Sequence, residues 1–348
     1  MKNLLIVLTV TWLTTCFSSP EIIEQPAEEP VEEITDEVKF TEEELAHFIP
    51  HDTLPVTAFP EVWMYIVSGQ ETNLRRGLPI TDIAYFGAEL NVYGELSKLP
   101  DRQRLSSFQG RVHLTVTCFN YALTYFALIP GSPQRTALIR DLINATRNYD
   151  GLNLDFENIP ARSGEAFLSF LQELKQGLPD KMLSVCLYGR LRTLQNDVYD
   201  YTKISPLVDR IFVMAYDQHW GGGTAGPVSS LSWCRSAAEY SLRTIGRDKL
   251  IMGIPFYGRA WASANHHRSL IFTTTERLIN TYNPTIRREN GTPTFDYTAT
   301  VNVKVYYEDE YSISARLQMY KSLGIKAVGF WRLGYETPMV WRTLRIEQ

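Results

Sequence analysis

In Asp150-Gly151-Leu152-Asn153-Leu154-Asp155-Phe156-Glu157, apolar and polar side chains take turns. A β-strand points successive side chains to opposite faces. Leu152, Leu154 and Phe156 therefore share one face, and Asn153, Asp155 and Glu157 the other. The apolar face suits a layer of packed helices. The polar face lines up an amide and two carboxylates, the acids about 6.5–7 Å apart along the strand. Buried carboxylates are costly unless paired or put to use, so a strand closing on two acids is read as carrying chemistry. A solvated edge strand with a polar face is the competing reading, and the acids at its end count against it.

Apolar β-type runs recur on both sides of this stretch. They fall at residues 62–67, 82–87, 112–118, 151–156, 183–187, 210–216, 250–255 and 327–331. Amphipathic stretches at 165–177, 231–245 and 312–323 lie between them. Eight strands with helical connections predict an α/β fold, a parallel sheet with right-handed crossovers closed into a (β/α)8 TIM barrel. A doubly wound open sheet is the runner-up, but no Gly-rich phosphate fingerprint opens any helix. Asp155, Glu157, Tyr216, Asp217 and Trp331 all stand at strand ends, which a barrel gathers on one face. The interval from Trp261 to Glu310 is too long for a simple connection and predicts a small inserted lobe between strands seven and eight, walling the cleft.

The chain divides by composition. Residues 1–16 read as an export segment, with a charged start and an apolar run from Leu4 to Leu13 that is too short to span a bilayer comfortably. The run ends at Leu13-Thr14-Thr15-Cys16, similar to a bacterial lipoprotein signal in which the cysteine is lipidated. Thr15 departs from the small residue usual there, which leaves an ordinary cleaved signal or an uncleaved anchor as alternatives. Residues 17–55, rich in Glu and Pro, read as a disordered acidic stalk, with a short helix capped at Thr41 as the local competitor. Residues 56–348 are the expected catalytic barrel. The net charge of −5 is uneven: residues 1–44 hold eleven acids against Lys2 and Lys39, leaving the rest at about +4. That balance fits a neutral or anionic substrate and is too weak for nucleic-acid binding. Cys118, Cys186 and Cys234 show no disulfide or metal spacing and are expected to be buried thiols.

Asp150-Gly151-x-Asn153-x-Asp155-x-Glu157 resembles the glycoside hydrolase family 18 signature DGxDxDxE. Met214-Ala215-Tyr216-Asp217 resembles that family's strand-six motif. Gly253-Ile254-Pro255-Phe256-Tyr257-Gly258-Arg259 is similar to its strand-seven segment, and Gly329-Phe330-Trp331-Arg332-Leu333-Gly334 to its strand-eight tryptophan segment. The run from Met214 to Trp220, followed by Gly226-Pro227-Val228, is most similar to the bacterial branch of spore-cortex and peptidoglycan-lytic N-acetylglucosaminidases. The resemblance covers nearly all of residues 56–341. It implies a retaining, substrate-assisted hydrolase of β-1,4-linked N-acetylglucosamine polymers, in which the substrate's own acetamide is the nucleophile.

Under that resemblance Glu157 is the proton donor and later the base, Asp155 orients the acetamide, and Tyr216 donates to the acetamide carbonyl. Asn153, Asp217, Met214 and Tyr65 are substrate-binding candidates, and Trp331 forms the apolar floor. Tyr65, near the end of strand one, faces either the sugar or the core. No metal or organic cofactor is implied. The implied partner is a polysaccharide, peptidoglycan glycan ahead of chitin, with a lipid anchor at Cys16 holding a monomer in the cell envelope. The alternative is an idle, lectin-like binding barrel, whose mark is loss of the acid at 157, which this chain keeps. A purely structural envelope lipoprotein comes third. Asn153 stands where the family usually has Asp; a neutral neighbour predicts an Asp155 that stays ionised to lower pH. His266-His267 reads as a solvated loop and Gly221-Gly222-Gly223 as a flexible loop over the cleft. Glu89 and Asn91 are candidates for its rim.

Overall fold

The computed structural model describes residues 54–263 and 266–347. The export segment, Cys16, and the stalk to Thr53 with its Thr41 cap lie outside the described residues. Eight parallel strands build the body: β1 (Glu61–Val67), β2 (Asp82–Leu90), β3 (Arg111–Cys118), β4 (Gly151–Phe156), β5 (Met182–Tyr188), β6 (Arg210–Met214), β7 (Leu250–Pro255) and β8 (Ala327–Trp331). Each pairs with its neighbour in sequence, and β8 returns to β1 from Ala327↔Glu61 to Phe330↔Met64. The sheet has no open edge, so the fold is the expected (β/α)8 barrel rather than an open doubly wound sheet. Strand β6 stops at Met214, leaving Tyr216 and Asp217 in the segment beyond it.

The helices are α1 (Tyr121–Leu128), α2 (Pro133–Thr146), α3 (Gly164–Gly177), α4 (Tyr201–Ile204), α5 (Leu231–Thr244), α6 (Phe272–Tyr282) and α7 (Glu310–Ser322). Their starts follow capping chemistry. The Asn120 side chain accepts two backbone N–H groups of α1, and Ser132 caps α2 just before Pro133. Asp309 and Ser312 form a capping box on α7. The first two connections correct the expectation of helices throughout. Their helical content is single turns, Glu71–Asn73 and Arg102–Leu105, with a short strand Leu96–Ser97 folded back on the end of β2 in the second, because Gly69, Gly77, Pro79, Gly94, Pro100 and Gly110 interrupt them.

Two apolar layers flank the strands. Leu152, Leu154 and Phe156 pack outward against Phe167, Phe170 and Leu171 of α3, with the Phe156 and Phe170 rings stacked at 5.9 Å. Each such fully buried side chain contributes about 1.5–3 kcal/mol. Trp63, Tyr65, Ala84, Cys186, Phe212, Ile251 and Ala327 fill the barrel itself. Phe212 needs the space beside Gly329, where a Cβ would come within 2.3 Å of its ring.

The N-terminal end of the barrel is closed by a polar network. Trp63 stacks on His113 at 4.3 Å, and His113 Nε2 meets Asp82 Oδ1 at 2.7 Å. Arg111 donates to both oxygens of Asp82, while Glu61 accepts from Arg111 and Arg210. Burial alone would raise the Asp82 carboxyl, but His113 and Arg111 outweigh it and hold it below its ordinary value.

The expected lobe is present. It starts at Tyr257, just past β7, as a five-stranded antiparallel sheet of Tyr257–Ser263, His266–Ile271, Arg287–Glu289, Thr292–Thr298 and Asn302–Tyr306, with α6 packed on it. Ala260, Leu270, Phe272, Phe295, Val305 and Tyr307 give it a core of its own. A buried pair at its exit, Glu308 and Arg316, ties it back to the barrel, since Arg316 also donates to the Ser229 carbonyl at 2.5 Å. Cys118, Cys186 and Cys234 are free and buried, as expected.

Candidate active site

Strand β4 carries the centre of the site. Its register sets Asn153 beside Thr115 and Ser184, and Asp155 beside Thr117. Asn153 is completely buried, and both its amide oxygen and its amide nitrogen are hydrogen-bonded. Its Oδ1 accepts from Tyr65 Oη at 2.9 Å, Thr115 Oγ1 at 3.3 Å and Cys186 Sγ at 3.5 Å, and its Nδ2 donates to Ser184 Oγ at 2.8 Å. Tyr65 is equally buried. Both residues were candidates for direct substrate contact, but each is fully buried with its side chain bonded to neighbours inside the barrel.

Asp155 and Glu157 stand on the same side of β4, as the alternation requires. Asp155 is buried and its Oδ1 has no hydrogen-bond partner among the described residues. Burial first, and the nearby Glu157 second, push its carboxyl up to about 8, against a smaller pull from Cys186. This reverses the expectation of an Asp155 ionised to low pH: Asn153 does remove a like charge, but desolvation is the larger effect. Glu157 is half-buried just beyond the strand end. Burial raises its carboxyl above the ordinary value; the hydrogen bond from Tyr188 opposes this and Asp217 adds to it.

Other strand ends converge here. Trp331 packs its ring against Phe86 at 4.9 Å and Tyr65 at 5.3 Å. Tyr216 is half-buried beside Tyr257, ring centroids 6.2 Å apart, and Met214 belongs to the same interior cluster. Asp217 adopts φ +56° and accepts from Arg259 Nη2 at 3.0 Å, so a lobe strand meets the cleft at that residue. Trp220, on the following loop, is exposed. In the glycine loop Gly221 is close-packed, a Cβ there coming within 2.0 Å of the His267 ring, while Gly222 is exposed. Glu89 is paired with Lys98 and Asn91 closes a tight turn, so both serve local structure. Among the described residues there is no cluster of metal-ligating side chains.

Sequence reasoning missed Tyr188 and Tyr199. Tyr188 donates to Glu157 Oε2 at 2.6 Å, and Tyr199 donates to the Phe156 carbonyl at 3.1 Å. A period-two count along β5, through Ser184 and Cys186 to Tyr188, would have found the first of them.

Residues 85–336 match the profile of the glycosyl hydrolases family 18. The chain belongs to that family. It is 31% identical over 210 residues to the uncharacterized glycosylase YvbX of Bacillus subtilis (strain 168), covering 57% of this chain and 61% of that protein. It is 25% identical over 290 residues to the cortical fragment-lytic enzyme of Bacillus anthracis, covering 76% of this chain and 67% of that one. The chain thus spans about three fifths to two thirds of the length of these relatives. In fold it is similar to the Bacillus cereus spore cortex-lytic enzyme SleL, with a TM-score of 0.75, 22% identity, and coverage of 84% of this chain and 76% of that one. A chitinase from Chromobacterium violaceum ATCC 12472 gives a TM-score of 0.74 at 19% identity, covering 82% and 97%.

Proposed function

We propose that this family 18 barrel hydrolyses β-1,4-linked N-acetylglucosamine-containing glycan with retention, using the substrate's acetamide as nucleophile. The observation that carries the reading is the pair of carboxyls, Asp155 and Glu157, raised side by side at the C-terminal end of the barrel. Glu157 protonates the glycosidic oxygen as the acetamide oxygen attacks the anomeric carbon. The leaving sugar departs as an alcohol and a cyclic oxazolinium remains. Water then opens this ring, giving one proton back to Glu157. Asp155 sits below the acetamide, where it orients the N–H and, in its ionised form, offsets the developing positive charge. Tyr216 donates to the acetamide carbonyl and Trp331 supplies an apolar floor for the distorted sugar.

Peptidoglycan glycan is the substrate we favour over chitin. The names of the cortical fragment-lytic relatives support it, as does a body of about +4 facing an anionic polymer. Initial rates on muropeptide glycan strands and on N-acetylglucosamine oligomers of equal length are the test. Faster turnover of the glycan strands is expected, and a tenfold preference for the chitin oligomers would sink the choice. Binding to both without release of reducing ends would instead favour the lectin-like alternative.

A further inference from the structure

Glu157 is held from strand five. Tyr188, the last residue of β5, donates its hydroxyl to Glu157 Oε2 at 2.6 Å. Tyr199, in the connection that follows, accepts the Ile159 N–H at 3.0 Å and donates to the Phe156 carbonyl at 3.1 Å. One hydroxyl therefore bridges the backbone on either side of Glu157 and Asn158. The two tyrosine rings meet edge to face at 5.2 Å. Tyr188 is itself pinned: Tyr201 donates to its carbonyl at 2.5 Å, and Arg190, paired with Asp197 at 2.9 Å, lies 5.6 Å from its ring centroid. Packing alone accounts for a ring at this place, but not for a hydroxyl aimed at one oxygen of the acid.

We propose that Tyr188 is a positioning residue that holds Oε2 of Glu157, so that the proton delivered to the glycosidic oxygen is carried on Oε1. The proposal rests on the reading of Glu157 as the proton donor. A carboxylic acid has a single O–H, and an Oε2 already accepting from a phenol leaves the proton to the other oxygen. Burial and the bond to Glu157 raise the Tyr188 hydroxyl well above its ordinary value, so it stays protonated and only donates. When the Oε1–H bond breaks and its proton forms the leaving alcohol, the new carboxylate gains a charge-assisted hydrogen bond from Tyr188. Water later returns a proton to Oε1. The other titratable groups facing Glu157 are Asp155 on β4, Cys186 on β5, Asp217 beyond β6 and Tyr199 after β5. Among the described residues, Tyr188 is the one within hydrogen-bond distance of the carboxylate.

Tyr188→Phe keeps the ring and deletes the hydroxyl. A carboxylate that loses a donor is less stable, so the Glu157 carboxyl should titrate about one pH unit higher. The shift is to be read directly by carbon-13 NMR of selectively labelled full-length protein without substrate. The basic limb of kcat/KM on N-acetylglucosamine oligomers should move up with it, and kcat should fall about tenfold, with circular dichroism unchanged. An unmoved carboxyl titration in folded Tyr188→Phe overturns the proposal. Tyr199→Phe removes the backbone bridge and leaves the Oε2 contact; it is expected to lower Tm without moving the Glu157 titration, and a shift equal to that of Tyr188→Phe also overturns it. Glu157→Gln separates the two ideas. More than a tenth of wild-type turnover in that variant rejects Glu157 as the donor, whereas the NMR titration tests the hydrogen bond in either case.

Discussion

Asp155 is the residue at which the chemistry and the stability of this chain pull against each other. Its carboxyl binds a proton far more tightly in the folded chain, where burial pushes it up to about 8, than an exposed carboxyl does. Between the ordinary carboxylate range and about pH 8, the folded state therefore holds the extra proton. The stability linked to it is fully present below that window and is lost as pH rises through it. Asp155→Asn, neutral throughout, should flatten this slope and raise Tm at pH 8 by a few degrees, while turnover falls about 100-fold. Thermal melts at pH 5 and pH 8 check the first part, and a variant less stable than wild type at pH 8 would count against it. Asn153 shows the opposite economy. Its amide meets donors on one side and an acceptor on the other, so it lies buried with no charge to neutralise.

Among the elements, the strands divide their length between two tasks. Their C-terminal ends carry Glu157, Tyr188 and Trp331, while the first residues of β1, β2, β3 and β6 form the closing network of Glu61, Asp82, Arg111 and Arg210. Barrels commonly separate chemistry and stability in this way. Asp82 is fully buried and accepts from both Arg111 and His113. Asp82→Asn leaves the Arg111 guanidinium short of a charge partner and should cost roughly 3 kcal/mol. Urea denaturation measures the loss. Turnover per folded molecule should stay near wild type, because the site is at the other end of the strands; a large fall in kcat with little change in stability would contradict this division.

At the scale of the whole molecule, the barrel and the lobe each have a core, and they meet through side chains and backbone hydrogen bonds such as Leu231 N–H to the Asn290 carbonyl at 3.2 Å rather than through a shared sheet. Arg259 reaches Asp217 from the lobe, and Arg316 binds both Glu308 and the Ser229 carbonyl. The segment carrying Tyr216 and Asp217 is therefore braced on two sides. Beyond the barrel, we propose that residues 1–16 export the chain and that a lipid on Cys16 anchors it in the envelope, as its signal-like run supports. Cys16→Ala should abolish labelling by an alkyne fatty acid and move the protein from the membrane pellet to the soluble fraction. Label retained in that variant would refute the anchor.

The alternation at 151–157, the spacing of the strands and the length of the interval before Glu310 were enough to read the barrel, its lobe and the pair of acids, because strand periodicity and connection length are local properties of a chain. Helix-breaking residues in the first two connections were equally legible and were passed over. What no local pattern held was the environment of each group. The partners of Asn153 come from β1, β3 and β5, and the hydroxyl on Glu157 comes from the end of β5. The proton affinity of Asp155 depends on how completely eight strands shut water out around it. Desolvation is a property of everything packed around a group, so the residues that do the chemistry were readable from their order, while their protonation and their aim were decided by the closed barrel.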